Sequence, residues 1–513
     1  MRSVFRYLLS ACLLLLTASS TALAESVRLA WDPSPDVVAA YVVLHGTKSG
    51  TYTKETLVAG TTTTADIQNL TVGTTYYFVV KAVDASGMRS APTNQVSVSV
   101  TAPTTPSTPP PPPPETETPT EPTPLPVGMP SGSALRPVPE VASPSGTIVK
   151  VSTTTQLAKA VKAIKSNTTI VLAKGTYKLS ATLKIAGAFK NIGLRGATAN
   201  AADVTIVGPG LTSSTGALDG IRTAGGITGL TVANLTLKGF PGTPLVLQDA
   251  HTVLVHNVRV YSDGRFLIGG STKAGTQMLA GAVQYSRFFY EGARTDYRSG
   301  VDLQRAGSWR IRYNVFTNPA PSSVQRLGPA VVAWQASSHT QVDGNTFVNC
   351  SREIVLGMSK ATPNPHTGGW ARNNMIVRST AVKGGGTAIS VLDSPSTSVI
   401  FNTVLLQGTA PLAIEYRYPD TTRTIVANNL TDAPVDGLEG ATGVEDTNVT
   451  TAKASWFASA STGDLRLVST ATVPVDAAAA IASVPDDHGG QARPYGGGRD
   501  VGADEARTFV YPQ

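Results

Sequence analysis

Asp296, Tyr297, Arg298, Asp302 and Arg305 fall within one short stretch, DYRSGVDLQRA, of a chain in which only 15% of residues are charged. Carboxylates, a phenol and guanidiniums set this close together could hold an anionic sugar and move a proton. A guanidinium stays charged at any working pH, and its planar fork grips a carboxylate through two hydrogen bonds. Neutralising the carboxylate of a uronate acidifies the proton α to it. A base then removes that proton and a donor protonates the departing oxygen, which is β-elimination. Hydrolysis would instead use two carboxyl groups flanking the scissile bond.

Whether these residues form a site depends on the elements that carry them. From about residue 140 to 506 the chain consists of short alternating runs with no long helices between them, and asparagines recur at 234, 257, 314, 345, 374, 402 and 429. Their separations cluster in the high twenties, and the gap from 257 to 314 splits evenly if Ser286 fills a missing slot. That period suits three strands per turn, which is a right-handed parallel β-helix, expected here with about eleven rungs. The asparagines read as a structural ladder at one corner, their amides bonding from rung to rung. Thr154 to Lys165 places Leu157, Val161 and Ile164 on one helical face, a lid for the open first rung.

Aligning rungs on the asparagines stacks GVDLQRA, AVVAWQA, REIVLGM, AISVLDS and AIEYRYPD. With a side-chain period of two, Val301, Leu303, Val332, Trp334, Ile354, Leu356, Ile389, Val391 and Ile414 point inward. Asp302, Gln304, Gln335, Glu353, Ser390, Glu415 and Arg417 then point outward, with Arg305, Arg352 and Asp393 at strand ends. Five rungs make a face of roughly 20 Å, about four sugar rings. Arg305, Asp302, Glu353 and His366 are the candidate catalytic groups. Arg298, Tyr297, Gln304, Gln335, Arg352, Glu415, Arg417 and Trp370 are the candidate substrate contacts. His366 and Trp370 are read from an insertion, SKATPNPHTGGW, that lengthens one rung. The alternative is that the stripe is solvated decoration and His366 an idle loop residue.

Arg2 and Arg6, the apolar run LLSACLLLLTASS and the small residues at 21–24 read as a secretory leader cleaved near Ala24. Leu9-Ser10-Ala11-Cys12 offers a lipoprotein reading, but most of the apolar run follows that cysteine. Loss of the leader lowers the formal charge from +7 to +5 and removes Cys12, leaving Cys350 as a single thiol without an intrachain disulfide. No dense basic run interleaved with aromatics points to nucleic acid, and no later segment is long and apolar enough to span a bilayer.

Residues 25–101 alternate between turn signals as a small β-sandwich does. Leu70, Gly73, Tyr76, Phe78, Val80 and Ala82 resemble the corner and following strand of fibronectin type III domains. Residues 102–139 are a Pro/Thr-rich linker, and 507–513 a short tail. The 140–506 region resembles the pectate-lyase-like superfamily, including the chondroitinase B and alginate lyase group. Its ending, DDHGGQARPYGGGRDVGADE, is similar to the tails of many secreted bacterial β-helix proteins, and Asp486 and Asp487 are placed there, away from the rungs. The family pattern survives at Asn345-Thr346-Phe347. Pro329 and Val331 stand where calcium-binding glutamates are expected, Ala336 replaces the lysine base and Gly357 the arginine. The resemblance therefore implies a monomeric, exported protein acting on an acidic extracellular polysaccharide as a lyase, with calcium raised by fold alone. A non-catalytic carbohydrate-binding or adhesion protein is the alternative.

Overall fold

The computed structural model describes residues 24–31, 40–59, 64–83, 89–100 and 136–506, save 217, 263, 292–296, 319–327, 359–364, 383–384 and 482–483. Asp296 and all of the leader but Ala24 lie outside the described residues, as do 101–135 of the linker and the 507–513 tail. The chain divides into two compact units, 1–121 and 122–513.

The first unit is an antiparallel sandwich. One sheet pairs Ala24–Ala30 with Thr64–Thr71; the other runs in the order Lys54–Ala59, Ala40–Gly46, Thr75–Val83, Val96–Ser99. Leu29, Tyr41, Val43, Ile67, Leu70, Phe78 and Val80 fill its core, with Trp31 edge-on to Tyr41 at 5.5 Å. Gly73 takes a left-handed φ of 82°, and the Thr71 N–H donates to the Tyr76 hydroxyl at 3.2 Å. Both features close the corner expected around Leu70–Tyr76.

The second unit is a right-handed parallel β-helix. One face is a ten-stranded parallel sheet from Leu183–Ala186 to Val435–Leu438, and the other two faces are joined in a 23-stranded sheet. Helix α1 (Thr154–Lys162) buries Leu157 and Val161 over the first rungs. It ends three residues before the expected Lys165, and Ile164 is buried from the turn that follows. Apolar inward rows build the core; Phe288, Phe316 and Phe347 stack on successive rungs at 4.7 and 5.0 Å. Cys350 is buried, and burial pushes its thiol pKa up, as suits an inert structural residue.

The asparagine ladder runs from Asn314 through Asn345, Asn374, Asn402 and Asn429 to Asn448, each side-chain amide donating to the next side-chain carbonyl at 2.9–3.0 Å. Ser286 takes the slot below: its backbone N–H donates to Asn314 Oδ1. Asn234 and Asn257 belong to the neighbouring column. They occupy the left-handed position that Tyr285, Tyr313 and Asn373 fill on later rungs, and pair with each other at 3.0 Å. Asn374 is fully buried, accepts from the Asn345 backbone and amide, and donates to Val342 O and Asn402 Oδ1. Each orphaned buried group costs about 1–3 kcal/mol, so Asn374→Ala should destabilise by at least about 3 kcal/mol. Asn448→Ala, half-buried where water can substitute, should cost markedly less; denaturant unfolding of both variants measures the difference.

The C-terminal segment is not a free tail. Trp456, Phe457, Leu465, Leu467, Val501 and Ala503 cover an outward apolar stripe of Val348, Met375, Val377, Leu405 and Leu430. Contrary to the sequence expectation, Asp486–His488 lie against the rungs. Asn373 donates to Asp486 O at 2.9 Å, and His488 contacts Thr346 Oγ1 and Asn373 O. Arg493 stacks on Phe401 at 4.4 Å and ion-pairs with Glu505, both side chains fully buried. Arg136, from the end of the expected linker, bonds Asp486 and the His488 carbonyl, each at 2.9 Å, and lies 4.2 Å over the Tyr313 ring. Among the described residues no helix is long and apolar enough to cross a membrane.

Candidate functional site

Strand register decides which side chains share the outward face of the ten-stranded sheet. Val301 pairs with Val331, Asp302 with Val332 and Gln304 with Trp334. Val331 and Ala333 therefore enter the core, whereas Val332 and Trp334 face outward, opposite to the expectation. The cause is one extra residue in the turn. Arg305 alone takes a left-handed φ after its strand, but Gln335 and Ala336 both do, at 53° and 65°. The distance from strand to asparagine is thus one longer in that rung, and a one-residue slip exchanges the faces.

The corrected register gives Asp302 its partners. Its carboxylate accepts from Ser299 Oγ at 3.0 Å, Gln304 Nε2 at 3.2 Å and Trp334 Nε1 at 3.1 Å. All three donors are neutral. Burial, with 1% of the residue exposed, raises the Asp302 pKa against the opposing pull of those bonds. Tyr297 lies close enough to feel this charge; burial first, then Asp302, push its phenol up to about 12. Arg298, almost fully buried, is lowered by desolvation to about 10. Arg305 is half-buried and donates to Thr272 O at 3.1 Å, across the turn from Gln304. Gln335 is half-buried at its turn. Trp334 is half-buried and outward, a site residue that the sequence pattern places in the core. The four apolar residues before it, AVVA, erase the alternation that could reveal its side.

Above Asp302 the same outward column continues through Val332, Val355, Ser390 and Glu415. Val332, Val355 and Leu392 form an apolar floor with Trp334, Met358 and Tyr418 packed against it. Beyond it Arg352 donates to Ser390 Oγ at 3.4 Å, Ser390 Oγ donates to Glu415 at 2.8 Å, and Arg417 bridges Glu415 at 2.9 Å and Glu439 at 3.1 Å. The face is therefore polar at both ends and apolar between. It is not the continuous charged stripe expected.

Two candidate catalytic residues and one candidate sugar contact lie elsewhere. Glu353 immediately precedes strand Ile354–Leu356 and is fully buried, bidentate to Arg378 at 2.9 and 2.5 Å, so it does not face outward. His366 opens strand His366–Arg372 inside the other sheet instead of a loop; Ser394 Oγ at 2.7 Å and Thr340 Oγ1 at 3.0 Å hold its two nitrogens. Burial lowers its pKa to about 3, so it remains neutral and cannot serve the outward face. Trp370 is on that other sheet too, with Arg372 at 4.9 Å over its ring. His366 has a depressed folded pKa, so the unfolded chain binds its proton first as pH falls. Its contribution is complete above the unfolded value of 6.5 and is lost as pH drops through that value toward about 3. In His366→Asn that acid-side loss should shrink relative to the parent, read as the melting temperatures of both chains between neutral pH and about pH 4.

For the calcium raised by the family likeness, the positions in question supply no ligand side chain. Val331 is in the core and position 329 is a proline. No group of three or more His, Cys, Asp or Glu among the described residues is arranged to hold a metal ion.

Residues 15–99 match the family model for the fibronectin type III domain. The chain is 46% identical over 81 residues to chitinase A1 of Niallia circulans; the match covers 15% of this chain and 11% of that enzyme. Among solved structures, an alginate lyase from Paenibacillus sp. str. FPU-7 superposes with a TM-score of 0.42 at 15% identity, over 58% of this chain and 97% of that one. The PL6 family alginate lyase AlyGC gives 0.34 at 14% identity, over 55% of this chain and 43% of its own. These likenesses in structure are likenesses of fold.

Proposed function

We propose that the outward face of the ten-stranded sheet binds an acidic extracellular polysaccharide and that the protein cleaves it by β-elimination. The observation that carries this reading is the Asp302 carboxyl, buried beneath an outward tryptophan, held by neutral donors alone and raised in pKa. A carboxylate of raised basicity is suited to take the proton α to a uronate carboxylate. Arg305, at the end of the Asp302 strand, would neutralise that uronate carboxylate. The electron pair of the broken C–H bond forms the new double bond, and the bond to the leaving sugar oxygen breaks. Tyr297, whose phenol stays protonated, gives that oxygen its proton, and Asp302 returns one through solvent. Trp334 supplies a flat apolar surface for a sugar ring.

A hydrolase is poorly supported. Asp302 and Glu415 are four rungs apart, about 19 Å, against about 5–10 Å for carboxyl pairs that flank a glycosidic bond. A binding protein without catalysis is the second reading, favoured by the full set of partners on Asp302. Exported, monomeric protein incubated with alginate, pectate and glycosaminoglycans decides between them. Ultraviolet absorbance of an unsaturated uronate supports the lyase; binding with neither that absorbance nor new reducing ends supports the second.

A further inference from the structure

The net positive charge of this chain comes from one end of the β-helix. Lys and Arg number 41 and Asp and Glu 34; residues 146–203 contain nine of the former and one of the latter. The rest of the chain therefore holds 32 against 33, so this one segment accounts for the whole positive balance. All eight of its lysines (150, 159, 162, 165, 174, 178, 184 and 190) are exposed. Lys174 pairs with Asp203 at 3.3 Å, and among the described residues the other seven make no ion pair. Lys150, Lys159 and Lys165 line a depression of about 640 Å³ between α1 and the first strands, with Gln156 at its wall. Lys184 also stands in the outward column of the ten-stranded sheet. Arg222, Val246, Gly269 and then Asp302 follow it on successive rungs.

We propose that the α1 end of the β-helix is a docking surface for a polyanionic glycan, which continues from there along the outward column to Asp302. This rests on the reading that the ligand is an acidic polysaccharide. Seven uncompensated ammonium groups raise the local concentration of a polyanion and hold it without fixed geometry, since lysine is a mobile point charge and not a planar fork. From Lys184 to Asp302 is four rungs, about 19 Å, so one polymer chain of about four sugar rings spans both. An anionic membrane fits less well. Ile148 is the one large apolar side chain of this segment among the prominently exposed ones, which leaves little to insert between lipids. Nucleic acid would call for stacking aromatics, and Tyr177 here is buried.

The test uses the full chain with Lys150, Lys159, Lys162 and Lys165 each changed to Gln; all four are exposed, so folding should persist and circular dichroism checks it. Binding of polygalacturonate and alginate is measured across a salt series, beside vesicles of phosphatidylglycerol and a di-uronide too short to reach α1 from Asp302. Polymer affinity should fall by about tenfold or more at low salt, its salt dependence should flatten, and di-uronide binding should be unchanged. Unchanged polymer affinity and salt dependence would overturn the proposal, as would lysine-dependent binding of the vesicles but not of the polymers. Lysine-dependent polymer binding without any cleavage would sink the lyase reading and leave this one standing. Cleavage with lysine-independent binding would do the reverse.

Discussion

Arg378→Met should lower the unfolding free energy of the β-helix by about 3–5 kcal/mol. Arg378 and Glu353 are both wholly buried, joined through two hydrogen bonds, with a third from Arg378 to Gly386 O at 2.8 Å. Removing the guanidinium leaves a carboxylate in the interior whose pKa burial already raises. The chain must then protonate Glu353 or expose it. Replacing both members, Glu353→Met with Arg378→Met, removes the stranded charge and should recover most of the loss. Chemical denaturation of the two variants at neutral pH tests this. A double variant as unstable as the single one would mean that packing at this corner, and not charge, sets the cost.

Asp302→Asn should reduce turnover of an acidic polymer by about 10²–10⁴-fold while leaving polymer affinity within a few-fold, because an amide cannot take the proton. Stability should change little: Trp334 Nε1 and Gln304 Nε2 both donate to Oδ1, which Asn retains, and the Asn amide group faces the Ser299 hydroxyl, which can accept from it. The readout is kcat measured below the variant's own melting temperature. Turnover equal to the parent's would remove Asp302 from the chemistry and leave it a structural carboxyl. The pH profile carries a second signature. Asp302 has a raised folded pKa, so its proton is lost later than in the unfolded chain, and activity should rise with pH through that raised value.

Architecture is far more legible in the sequence than the site is. The ladder asparagines announce themselves through their period, since each rung needs a buried amide at the same corner. The helix over the first rung is visible from Leu157 and Val161 because an amphipathic face follows from local spacing alone. The site is hidden where placement depends on a single residue of loop length. Nothing in AVVAWQ distinguishes a strand with Trp334 inside from one with Trp334 outside; the doubled left-handed turn at Gln335–Ala336 decides it. His366 and Glu353 elude the sequence for another reason. Ser394, Thr340 and Arg378, which satisfy them, come from strands and turns about 25 to 28 residues away, and sequence carries no mark of that pairing.

The C-terminal cover over Val348, Met375, Val377, Leu405 and Leu430 has a bearing on biogenesis. A ribosome releases the rungs in order, each able to pair with the one before it, so the helix can grow from α1 onward. The residues that shield its third face, from Trp456 to Ala503, emerge after the rungs they cover. Until then five apolar side chains on neighbouring rungs stand open on a sheet surface that another nascent copy could occupy. The interval between completing the last rung and laying down the cover is thus the period of greatest aggregation risk. A chaperone that bound this stripe would lose its site once the cover is laid over it.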